Sequence, residues 1–95
     1  MIFEWNEEKN NENHKKHGIW FEEAQTVFED DAAKVFFDDD HSENEDRFLM
    51  LGLSVRSRVL VVCHCVREEN TLIRIISARK ATANEKATYR KRLRK

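Results

Sequence analysis

The chain has 95 residues and a mass of 11.4 kDa, enough for one domain (1–95) that buries roughly 60–65% of its unfolded surface. Two Gly and no Pro, against about 7 and about 5 at average usage, exclude collagen-like, Pro-rich and Gly/Ser-linker chains. The net charge of −1 hides a division: residues 1–46 carry 4 basic and 15 acidic side chains (−11), and residues 47–95 carry 13 basic and 3 acidic (+10).

Ile2 to Trp5 reads as a short strand. Asn6 then caps a helix with an acidic first turn (Glu7, Glu8) and a basic last turn (Lys15, Lys16, His17), the order that suits the helix dipole; Gly18 stands where a left-handed cap is wanted. Phe21, Ala24, Val27 and Phe28 have helical spacing and predict a second helix over 21–28. The period then changes. Lys34 to Phe37 and Arg47 to Leu53 are strand candidates on either side of an acidic loop at 38–46. Arg58 to Val66 is β-branched and apolar on both faces, the mark of a central strand. Glu68-Glu69-Asn70 turns into a further strand over 72–78, and these spacings predict an antiparallel meander. Thr82 with Glu85 three residues on forms a capping box for a last helix over 83–93, whose second half is heavily basic. The expected fold is α+β, a small antiparallel sheet packed by helices in the order β-α-α-β-β-β-β-α.

Forty per cent hydrophobic content, with two Trp and six Phe, supplies a small core and argues against disorder. The longest uncharged apolar stretch, 59–66, is too short to span a bilayer. Met1 to Trp5 lacks the basic and apolar regions of a signal peptide. Two cysteines two positions apart are no disulfide framework. A cytoplasmic protein is expected, with no membrane partner.

Opposite charge in the two halves points to an anionic polymer contacting the basic half, or to two halves that neutralise each other on folding. Cys63-His64-Cys65 raises a zinc site, which would need His14 and His17 to arrive as a second pair. A calcium loop starting at Asp38 fails, because its sixth and twelfth positions hold Glu43 and Leu49 instead of Gly and Glu. No Gly-rich phosphate loop or serine-hydrolase elbow is present. What remains is one histidine among arginines. His64 projects from the central strand opposite Cys63 and Cys65, while Arg47, Arg67, Arg74 and Arg79 fall on or beside neighbouring strands. Arginine binds phosphate bidentately and keeps its charge, and a histidine near neutrality moves protons. Such a set suits attack by a ribose 2′-hydroxyl on its own phosphodiester. The alternative is a non-catalytic basic module that binds an acidic protein or nucleic acid.

Several segments, spread over about residues 3–89, bear on this choice. They include Phe3-Glu4-Trp5 with Lys9 and Asn13, Lys16-His17-Gly18, Phe21-Glu22-Glu23-Ala24, His41-Ser42-Glu43, Gly52-Leu53-Ser54, and Arg74 to Thr82 with Glu85 and Tyr89. In order and in register, they resemble the BrnT-type toxins of bacterial type II toxin–antitoxin systems. The resemblance implies a RelE-like fold and an endoribonuclease that inhibits translation by cutting RNA without a metal or other cofactor. It also implies a cognate BrnA-type antitoxin, which blocks the toxin and alone contacts operator DNA. By position, Arg67 and Arg79 match the family's functional arginines best; Arg47, His64 and Tyr89 match further motif positions. Arg74, Lys80, Arg90 and Arg92 are the expected RNA-binding cations. The chain departs from the family pattern at Asn6, Asn44, Cys65-Val66 and Trp20. Trp20 takes the place of a Ser/Thr cap on the second helix, an expected cost of roughly 1 kcal/mol.

Overall fold

The computed structural model describes residues 1–42 and 45–93. Glu43 and Asn44 of the acidic loop, and Arg94 and Lys95 of the basic end, lie outside the described residues. The strands are β1 (Ile2–Glu4), β2 (Lys34–Phe37), β3 (Phe48–Leu53), β4 (Val59–Arg67) and β5 (Leu72–Lys80); the helices are α1 (Glu7–His17), α2 (Phe21–Ala24) and α3 (Ala83–Leu93). Their order is the expected one, with short 3₁₀ turns at Gln25–Glu29 and Asp39–His41 between them. The first of these turns replaces the second half of the helix expected over 21–28. There the Thr26 hydroxyl donates back to the Glu23 carbonyl at 2.7 Å and accepts from the Val55 amide at 2.9 Å, a local alternative to helical pairing.

The sheet runs β1-β5-β4-β3-β2, with β4 in its middle. Strands β2 to β5 form the expected antiparallel meander. β1 instead joins the far side of β5 in parallel, Ile2 opposite Leu72 and Glu4 opposite Arg74, so the sheet is mixed rather than wholly antiparallel. Because side chains alternate along a strand, Leu60, Val62 and His64 point to one face, and Val61, Cys63, Cys65 and Arg67 to the other. The first face packs under Ile19, Phe21, Ala24 and Val27 with Ile73, Ile75 and Ala78. The second is covered by α3 only where Leu51 and Val61 meet Ala81 and Tyr89. On α3 the shielded positions Glu85, Thr88, Tyr89 and Arg92 recur at helical spacing.

Helix α1 contains no apolar side chain and docks through amides. Asn6 accepts from the Lys9 amide at 3.0 Å and Gly18 closes the helix at φ 72°, the two caps expected. The buried Asn13 donates to the Ile19 and Ala78 carbonyls, both at 2.9 Å, and accepts from the Ala78 amide at 3.0 Å. β1 pairs with β5 only as far as Arg74, so the Asn13 amide serves as a strand surrogate for the β5 edge that β1 leaves unpaired at Ala78. Asn10 does comparable work. Its Oδ1 accepts from the Phe21 amide at 2.7 Å and its Nδ2 donates to Glu22 at 2.9 Å. Trp20 makes no side-chain capping bond to α2; Asn10 instead satisfies the amide of Phe21, the first residue of that helix.

Candidate active site

The site begins with an irregularity in β5. Cys63 lies opposite Ser77, yet the next residue, His64, lies opposite Ile75, which leaves Ile76 as an extra residue on β5. Arg74 and Arg79 are an odd number of positions apart, and in a regular strand they would face opposite ways. The bulge resets the alternation, so Arg74, Ser77 and Arg79 share the face of Arg67, Cys65 and Cys63, while Ile75 and Ala78 both stay in the core. Bulges of this kind re-aim side chains at functional sites.

On that face, beyond the end of α3's cover, lies a cleft of about 350 Å³ lined by Asp38, Asp40, Arg47, Cys63, Ser77 and Arg79 among others. Arg79 is held by a bidentate ion pair to Glu85, at 2.7 and 3.0 Å. Glu85 is also the capping-box carboxylate of α3, accepting from the Thr82 amide at 2.8 Å. These bonds, the Arg79 pair above all, lower its pKa to about 2. Arg47 enters from the start of β3, and its buried Nε has no hydrogen-bond partner among the described residues. Ser77 is exposed and hydrogen-bonds the Cys63 side chain. Sequence reasoning did not single out Ser77, although it lies two residues before Arg79 and therefore on the same strand face.

Arg67 and Arg74 stand farther along the same sheet face, a rim outside the cleft's own lining. Arg67 pairs with Glu45 at 2.9 Å and lies 3.9 Å from Glu4, and Glu4 also pairs with Arg74 at 3.4 Å. Cys65 hydrogen-bonds Glu45, and burial together with that carboxylate pushes its thiol up to about 11. Burial likewise raises the Cys63 thiol, so both cysteines stay protonated.

Three expected site residues stand elsewhere. His64 is 3% exposed on the helix-covered face. Its ring packs edge-on against Phe28, with centroids 4.8 Å apart, and Nδ1 lies 3.2 Å from the Val62 carbonyl. Burial lowers its pKa and leaves a neutral imidazole. His64 is thus separated from the arginines by strand alternation and does not join them. Tyr89 is buried beneath α3 and donates to Asp30 at 2.6 Å; burial and that bond raise its pKa to about 12. It pins α3 to the turn before β2 instead of entering the cleft. Arg92 donates to the Ala32 carbonyl at 2.8 Å, a backbone clamp rather than an open cation. The Cys63-His64-Cys65 triplet splits across both faces of the sheet, and His14 stacks on Trp20 with ring centroids 3.8 Å apart. Among the described residues no group of three His, Cys, Asp or Glu side chains is placed to hold a metal.

Lys80 and Arg90, also expected to bind RNA, come together in a separate groove at the end of the sheet, joined by Ser57, Arg58, Val59 and Lys86. Lys86 was not singled out from sequence. Its i, i+4 spacing from Arg90 on a predicted helix was the available signal.

No curated protein matches the chain. Among solved structures, the fold is similar to that of the Brucella abortus ribonuclease toxin BrnT. The TM-score is 0.64 at 24% identity, with 86% of this chain and 99% of that chain covered. No helix among the described residues is long and apolar enough to cross a membrane. The profile described as "Ribonuclease toxin, BrnT, of type II toxin-antitoxin system" matches residues 5–85, and the chain belongs to that family.

Proposed function

We propose that this ribonuclease toxin cleaves RNA without a metal, by attack of a ribose 2′-hydroxyl on the adjacent phosphodiester, in the cleft between Arg47, Ser77 and Arg79. The observation that carries this reading is the β5 bulge, which turns Arg74, Ser77 and Arg79 onto one open face beside Arg47 and Arg67. The reaction passes through a dianionic, phosphorane-like transition state. Guanidinium groups fixed before the substrate arrives stabilise that charge without reorganising. Arg79 is fixed by Glu85, and Arg47 lines the same cleft with its Nε buried. The Ser77 hydroxyl donates a further hydrogen bond to a phosphate oxygen, and Arg67 and Arg74 hold the flanking phosphates at the rim. Asp38 and Asp40 on the cleft wall offer an acceptor for the 2′-hydroxyl proton as the P–O2′ bond forms; the P–O5′ bond breaks, and the departing 5′-oxygen takes its proton from solvent water. His64 and Tyr89 act on the site only through the packing of the strands and α3. Cleavage of RNA by this chain inhibits translation, and a BrnA-type antitoxin neutralises it and supplies the contact with operator DNA.

The test is cleavage of purified RNA by the isolated chain in EDTA. Wild type is expected to produce 2′,3′-cyclic phosphate ends. Arg79→Ala and Arg47→Ala are each expected to slow cleavage by about 100-fold or more, with circular dichroism unchanged. Undiminished cleavage by a folded Arg79→Ala variant overturns the assignment. RNA that is retained by wild type but never cut favours the non-catalytic binding module.

A further inference from the structure

The cations of the second half differ in how far the fold has already neutralised them. In the cleft and at its rim, Arg67, Arg74 and Arg79 each meet one of the chain's own carboxylates. Arg58 is held the same way by the buried Glu23, its Nε donating at 2.9 Å. Lys80, Lys86 and Arg90 have no such partner among the described residues. All three are exposed, and they converge with Arg58 and Ser57 on a groove of about 350 Å³ in which Val59 is the one apolar lining residue among those described.

We infer that this groove is a second phosphate-binding site, which holds the backbone of single-stranded RNA next to the cleft. The inference rests on the RNA-cleaving reading and extends it to where the strand is gripped. Three elements build the groove. The β3–β4 turn supplies Ser57 and Arg58, the end of β5 supplies Lys80, and one side of α3 supplies Lys86 and Arg90 four residues apart. Lys80 directly follows Arg79 in β5, and Lys86 directly follows Glu85, the partner of Arg79. One strand of RNA can therefore run from cleft to groove around a single corner of the sheet. Unpaired ammonium and guanidinium groups attract phosphate without first losing an internal ion pair, whereas the rim arginines must exchange a carboxylate for a phosphate. A protein partner would need apolar anchors at the centre of its footprint, and this lining offers almost none, so the chemistry favours a polyanion.

The probe is a fluorescent single strand of 2′-O-methyl RNA, about 16 nucleotides long, which cannot undergo 2′-hydroxyl attack. Its affinity is measured at several salt concentrations for wild type and for the Lys80→Ala/Lys86→Ala/Arg90→Ala variant, with the fold checked by circular dichroism. All three positions are exposed, and Lys86→Ala/Arg90→Ala serves as a milder second variant. Affinity is expected to fall about 10-fold or more at low salt. The slope of log K against log salt is expected to flatten by about 2, near 0.7 for each phosphate that the variant no longer neutralises. An unchanged affinity and slope in folded variants, with wild type binding the probe, overturns the groove and leaves the cleaving reading intact. If wild type binds no probe at low salt, the groove and the RNA reading fall together. Variants that bind the probe normally but lose an acidic antitoxin reassign the groove to protein and overturn the proposal.

Discussion

Truncating Asn13 to alanine removes the least conventional joint in the fold. The side chain is 7% exposed and makes three hydrogen bonds, two to Ala78 and one to the Ile19 carbonyl. Ala78 is itself 1% exposed, so its amide and carbonyl lose their partner inside the protein. A buried polar group left unpaired costs about 1–3 kcal/mol. Water entering the vacated space satisfies part of the loss, and alanine returns about 0.6 kcal/mol of helix propensity. The expected net destabilisation is about 3 kcal/mol, out of roughly 5–14 kcal/mol for a chain of this length. With a urea m-value of about 1.3 kcal/mol/M, the unfolding midpoint should fall by about 2 M. The control is Asn11→Ala on the exposed side of the same helix, expected to change stability by less than about 0.5 kcal/mol. If Asn13→Ala loses no more than this control, the amide is not a strand surrogate and α1 is held by something else.

Three further outcomes follow from the same geometry. Tyr89→Phe deletes the 2.6 Å bond to Asp30 and should cost about 2 kcal/mol in urea unfolding while RNA is still cut at the wild-type rate; a stable variant with lost cleavage would return Tyr89 to the cleft. His64 has a lowered folded pKa, so below about 6.5 the unfolded chain binds a proton that the folded chain refuses. Stability should therefore drop as pH falls from about 7.5 to about 5.5, by at most about 1.4 kcal/mol per unit. The carboxylates with lowered values act only below about 4.5, and His64→Phe should flatten the slope. At Gly52 an added Cβ would meet Val27 Cγ1 at 2.8 Å and Ala33 Cβ at 2.9 Å. Gly52→Ala is accordingly expected to destabilise by about 1–3 kcal/mol through overpacking, and a neutral midpoint would show that the turn before β2 yields freely.

What the sequence disclosed was whatever is written in local pattern. Asn6 and Gly18 bound α1, Thr82 and Glu85 start α3, and the apolar run in β4 marks the central strand; each signal depends on neighbours within a turn or two. Long-range choices were not legible. Nothing in Ile2–Glu4 states that a three-residue strand will join β5 in parallel, and nothing in an all-polar helix announces that Asn10 and Asn13 replace an apolar face. The site divided in the same way. Arg67, Arg74 and Arg79 were visible as residues, but their common face depends on a bulge at Ile76 that pairing alone reveals. His64 carried the expected chemistry in its side chain, and its position places it on the face away from the arginines. Alternation put it opposite Cys63 and Cys65, and the helices bury that face.

The charge division acquires a spatial meaning once the ion pairs are placed. Among the described residues, four pairs join the halves: Glu4 to Arg67 and to Arg74, Glu45 to Arg67, and Glu23 to Arg58. Neutralisation between the halves is therefore real, and it is concentrated on the arginines of the rim and on the one behind the groove. The pairs on Arg67 and Arg74 are exposed and contribute little to stability, so their consequence lies in binding: a phosphate reaching Arg67 or Arg74 must displace a carboxylate already there. Lys80, Lys86 and Arg90 present no such barrier. On the proposed reading the acidic half thus grades the basic half: a polyanion meets the groove first, and reaches the rim arginines by exchange. A chain with the same composition but its carboxylates placed elsewhere would keep its net charge of −1 and lose that order of engagement.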